Sequence, residues 1–138
     1  MPSIRLPFAC LLSLCLAVSV WADEPEKVPT LQDAKTDFDV FDYIQYESGK
    51  IDKGADKKQQ AALRADIFMR ASDKLLEIAK EDNDRHNAYS IRFSAFQQQI
   101  LAEIEGAQQK MEAFLEELDA KGNDHYQAER LRFQRVRP

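Results

Sequence analysis

Apolar residues return every three or four positions through most of the chain beyond residue 36, the period of a helix with one buried face. The stripe is cleanest in Tyr89, Phe93, Phe96, Ile100 and Ile104, which predicts a helix from about Ala88 to Glu105. A second stripe, Leu63, Ile67, Ala71, Leu75 and Ile78, widened by Phe68 and Leu76, predicts one from about Asp56 to Lys80. Met111, Phe114, Leu115 and Leu118 predict a third from Ala107 to Lys121. Phe38, Phe41 and Ile44 suggest a short helix over 37–48, with Thr36 or Asp37 as its N-cap. A last segment runs from Tyr126 to about Val136, capped by Asn123 and Asp124. The breaks fall at Gly49 and Gly54, at the polar run Glu81–Asn87, at Gly106 and at Gly122.

Helices joined by such short turns pack antiparallel on their neighbours. The expected fold is all-α: an array of two to three antiparallel αα-hairpins. The unit over 87–122 resembles a tetratricopeptide repeat in length and helix–turn–helix layout, but the diagnostic Trp, Gly-Tyr and Pro positions do not line up. In the expected packing, Phe93, Phe96 and Ile100 meet Ile67, Ala71 and Leu75, and Phe114 and Leu118 close the other side.

The first 22 residues have another pattern. Met1–Arg5 carries one positive charge, and Leu6–Val20 is a 15-residue apolar run. Val20-Trp21-Ala22 ends it near a small-x-small cleavage rule. The run is shorter than the ~20 residues a membrane-spanning helix needs, and Pro7, Ser13 and Ser19 interrupt it. Residues 1–22 are therefore expected to be a cleaved signal peptide that meets a membrane only during export to the periplasm or the exterior. Residues 23–36, polar and holding Pro25 and Pro29, read as a flexible linker, and 37–138 as the helical module.

Composition sharpens this picture. The chain has 138 residues and a net charge of −5, and losing Arg5 with the leader makes it −6. An acidic surface repels phosphate backbones, which argues against nucleic acid as a partner. The two cysteines, Cys10 and Cys15, both lie in the leader. A chain cleaved after Ala22 has neither a disulfide nor a redox-active thiol.

Candidate chemistry is sparse. Asp82-Asn83-Asp84 opens like a calcium loop, but the sixth and twelfth positions are Asn87 and Phe93 where that loop needs Gly and Glu. His86 and His125, 39 residues apart, are each expected in a turn and in solvent. Glu105, Glu112, Glu116, Glu117 and Asp119 read as a solvated acidic face rather than a tuned carboxylate pair. Tyr89, Phe93, Phe96 and Phe114 could line a ligand groove, although packing between two helices explains them more simply. Arg130, Arg132, Arg135 and Arg137 form a basic patch, expected to pair with the acidic body or with a further domain. No catalytic, metal or cofactor residue is assigned.

The stretches Ala71–Ala79 (ASDKLLEIA) and Ala88–Ala95 (AYSIRFSA), then Glu105-Gly106-Ala107 and Phe114–Leu118 (FLEEL), carry a likeness. Together they resemble the N-terminal helical region of exported bacterial thioredoxin-like proteins of the thiol–disulfide interchange (redoxin) type, across about residues 37–136. In that family a thioredoxin domain with a Cys-x-x-Cys motif comes next. This chain contains no such motif, so no catalytic residue carries over. The resemblance implies a non-enzymatic interaction or scaffold module with a protein partner. The alternative it leaves open is a truncated fragment of an exported thiol–disulfide oxidoreductase.

Overall fold

The computed structural model describes residues 27–135, all helix and turn. The leader with Cys10 and Cys15, the first residues of the expected linker, and Val136 and Arg137 lie outside the described residues. The described helices are, in order, α1 Asp37–Gly49, α2 Lys57–Ile78, α3 Asp82–Leu101, α4 Ala107–Ala120 and α5 His125–Arg135. A 3-10 turn, Gly122–Asp124, joins the last two. The all-α hairpin architecture expected from the stripes is the one observed.

The α2–α3 hairpin is the spine, with the most extensive contact in the molecule. Its buried residues are largely small: Ala61, Ala65, Ala71 and Ser72 on α2, and Ala88 and Ala95 on α3. Small side chains let two helix backbones approach closely. α1 packs on α2 at one side of this spine, while α4 packs on α3 and α5 on α4 and α3 at the other.

Each side has its own core. Tyr89, Phe93 and Phe96 of α3 cluster with Met111, Phe114, Leu115 and Leu118 of α4 and with Ala128 and Leu131 of α5. The second cluster joins Val40 of α1, Ala71 and Leu75 of α2 and Ala88 of α3 to Ala34. This corrects the expected packing. The α3 rings meet α4 and α5, with Met69 and Leu76 as their partners from α2. Ala71 and Leu75 belong to the other core.

Helix ends are set by identifiable side chains. The Thr36 hydroxyl accepts from the Asp39 N–H at 3.3 Å, and the Asp39 carboxylate accepts from the Lys35 and Thr36 N–H groups at 2.9 Å each. These bonds, Lys35 first, hold the Asp39 pKa below its ordinary value. Asp84 repeats the device at α3, accepting from Lys80 N–H at 2.9 Å and Glu81 N–H at 3.1 Å. Here the sequence expectation is corrected: α3 begins at Asp82, and the polar run 82–87 forms its opening turns rather than a break. At the other end α3 stops at Leu101, four residues short of Glu105. Ile104 N–H bonds to Gln99 C=O at 3.0 Å and Glu103 N–H to Ile100 C=O at 2.9 Å, with Glu103 at φ 57°. That is a Schellman cap with Glu where Gly is usual. Gly106, expected as the stop, instead starts α4 at φ 74°.

Two further differences bear on function. Of the expected α1 stripe only Ile44 packs on the core; Val40 and Tyr43 are buried beside it, whereas Phe38 is 81% and Phe41 41% exposed. On α2, Ala61 and Ala65 face inward and Leu63 is exposed. The described part of the expected linker also has structure. Thr30 and Asp33 close a turn, Ala34 is buried, and Leu31 packs on the α1-side core.

Candidate functional site

The aromatic set is core. Tyr89, Phe93, Phe96 and Phe114 are all buried. Phe114 lies 6.1 Å from Tyr89 and 5.6 Å from Phe96 between ring centroids, tilted by 60° and 44°. Such tilted contacts are the favoured packing of rings. Tyr89 keeps its hydroxyl satisfied by donating to Asp124 at 3.1 Å.

The titratable residues singled out in the sequence divide among a cap, local pairs within a helix, links between helices and exposed positions. Asp84 caps α3, and Asp82 pairs with Arg85. Glu117 pairs with Lys121 at 2.6 Å, and Asp119 with Arg132 of α5 at 2.5 Å. The basic C-terminal patch thus does meet the acidic body, through Arg132. Glu105 and Glu116 are exposed, and Glu112 is half-buried. Arg92 of α3 reaches across the spine, donating to Ser72 Oγ at 3.1 Å and pairing with Asp73. Asn87 ties α3 to α1 by donating to Asp37 at 3.1 Å. Among the described residues, no three His, Cys, Asp or Glu side chains converge to hold a metal ion, and no helix is long and apolar enough to cross a membrane.

His86 is placed differently from the expectation. It sits in α3, half-buried, with Nε2 at 2.6 Å from Nη1 of Arg130 in α5. A guanidinium has only donors, so Nε2 accepts and the ring is neutral. Burial, and then the Arg130 charge, hold the His86 pKa below 6.5, while a hydrogen bond with Gln127 works the other way. His125 is the first residue of α5. Neither the pin nor its partner was visible in the sequence, because residues 44 apart meet only through the fold.

On α1, Tyr43 is buried with a hydroxyl that finds no hydrogen-bond partner among the described residues, and burial pushes its pKa up. The outer side of the helix carries Phe38 and Phe41. An open groove of about 610 Å³ runs between residues 27–29 and α1, lined by Lys27, Val28, Pro29, Asp42, Gln45 and Tyr46. At the far end of the array, Phe133 of α5 is 75% exposed. Phe38 and Phe133 are the most exposed large apolar side chains among the described residues. The sequence stripes missed both, since spacing shows that a face exists but not which face is covered.

No family model matches the chain, and no curated protein or solved structure matches it either.

Proposed function

We propose that this chain is an exported, non-enzymatic helical module that works by docking other proteins. The observation that carries the reading is the exposure of two large rings on the outer helices, greater than that of Leu63 and Leu101 on the spine. The α2–α3 hairpin buries its small apolar residues, while α1 and α5 hold Phe38 and Phe133 in solvent. Exposed rings cost free energy in an isolated molecule and release it when a partner covers them. Rings of this kind are enriched where proteins meet.

The reading keeps the resemblance to the helical regions that precede exported thioredoxin domains, carried in part by Ala71–Ala79 and Ala88–Ala95 on the spine. That resemblance also favours a second reading, part of a thiol–disulfide oxidoreductase. A thioredoxin-like frame with Cys-x-x-Cys immediately downstream of the Pro138 codon would select the second; an unrelated gene there would select the first.

Photocrosslinkers placed at Phe38, Phe133 and, as a control, the exposed Gln108 test the docking itself in the producing cell. The proposal expects discrete protein adducts from the two ring positions and none from Gln108. Equal labelling at all three positions, or none at any, would count against it. Cell fractionation tests export: a cytoplasmic chain that keeps its leader contradicts that part.

A further inference from the structure

The ends of the array differ in charge as well as in position. α1 contains Asp37, Asp39, Asp42 and Glu47 and no basic residue. α5 contains Arg130, Arg132 and Arg135 against Glu129; Arg132 is offset by its pair Asp119, while Arg130 meets the imidazole of His86. Each of these two helices also carries one of the two most exposed rings among the described residues, Phe38 and Phe133. α1 packs on α2 and α2 on α3, while α4 and α5 pack on α3 and on each other.

In stacked helical arrays each layer buries its face on the next, and a soluble array closes its ends with polar outer faces. Here both ends carry aromatic rings, and their charges are opposite. The face that complements an acidic, ring-bearing α1 is a basic, ring-bearing helix, and α5 is one. We propose that the chain stacks head to tail with copies of itself, α1 of one copy against α5 of the next. This rests on the docking reading above and names the partner.

Phe38 and Phe41 lie one turn apart and form a strip on which Phe133 of the neighbour can lie. Asp42 next to them brings negative charge to the neighbour's positive helix. A contact built on three rings falls at the small end of specific interfaces. Weak association that weakens further with salt is therefore expected. The two faces are different patches, so the contact is heterologous and does not stop at a dimer.

Sedimentation equilibrium on the chain as recovered from the producing cell reads this directly. The average mass should rise with concentration past that of a dimer and fall toward the monomer in high salt. Phe38→Asp and Phe133→Asp should each leave a monomer with an unchanged helical spectrum, since both side chains stand in solvent. Mixed in equal amounts, the two variants should form a dimer and nothing larger, because the mixture holds one intact α1 face and one intact α5 face. A wild type that stays monomeric at every concentration overturns the stacking, even if Phe38 crosslinks another protein and the docking reading survives. Association unaffected by both substitutions overturns it too, as does a mixture that behaves like either variant alone.

Discussion

On the side of α4 and α5 the core is filled by three rings of α3, by Phe114, and by long side chains such as Met111, Leu115 and Leu131. On the side of α1 it is closed by three alanines with Val40 and Leu75. Both cores share α3, yet they are built on opposite principles. The ring core is stabilised by the apolar area each large side chain removes from water, so it is vulnerable to lost volume. The alanine core depends on close approach of backbones, so it is vulnerable to added volume. The same difference explains the polar pins. Arg92 needs only to cross the narrow spine to reach Ser72, whereas α5 is held from outside by Arg132–Asp119 and Arg130–His86.

The largest effect should come from emptying the ring core. Phe96→Ala should cost about 3–5 kcal/mol, against a total of about 5–15 kcal/mol for a domain of this size. Chemical denaturation would show it as a lower midpoint. A loss under about 1 kcal/mol, far below the usual cost of emptying such a site, would mean that Phe96 is not packed as described.

Overfilling the other core comes next. Ala88 is fully buried, and Ala88→Leu should cost about 1–3 kcal/mol. The same change at exposed Ala113 should be nearly neutral, since only a buried Cβ meets a neighbour. If Ala88→Leu were also neutral, the tight spine would be disproved.

Tyr43→Phe should go the other way. It removes a buried hydroxyl with no partner among the described residues, and a gain of up to about 1 kcal/mol is expected. A clear loss in thermal melts would show that the hydroxyl has a partner after all.

The smallest effects are in pH. Asp39 and Asp84 have folded pKa values below 3.8, so the stability they contribute is present above that value and lost as pH falls through the folded value. His86 is depressed below 6.5. Its neutral form is the one the fold prefers, so its contribution is full above pH 6.5 and lost as pH drops through the lower folded value. His86→Gln can still accept from Arg130 without titrating. Melting temperatures should therefore fall less between about pH 7 and pH 5, the window in which histidine titrates, in that variant than in the wild type. Parallel curves would remove His86 from the pH dependence.

The ring core was legible in the sequence because Tyr89, Phe93 and Phe96 are large and periodic. The alanine spine was not. On α2 the stripe found the buried Ile67, Ala71 and Leu75, with only Leu63 in solvent, but Ala61, Ala65 and Ala88 carry too little apolar signal to be read as buried. On α1 the Phe38–Phe41 and Val40–Tyr43 faces have the same spacing, and only contact with α2 decides between them. The start of α3 was hidden because Asp82–Asn87 are residues common to turns and to first helical turns alike. Of the candidate site, the charges of α1 and α5 could be read directly. The exposure of Phe38 and Phe133 could not, because sequence spacing does not report what covers a face.

Hydrogen exchange on Phe96→Ala, tracked helix by helix, tests the division into two cores most directly. With separate cores, α4 and α5 should lose protection first and most, while α1 and the half of α2 beneath it stay close to the wild type. Uniform loss of protection across α1 to α5, or loss beginning in α1, would contradict that division.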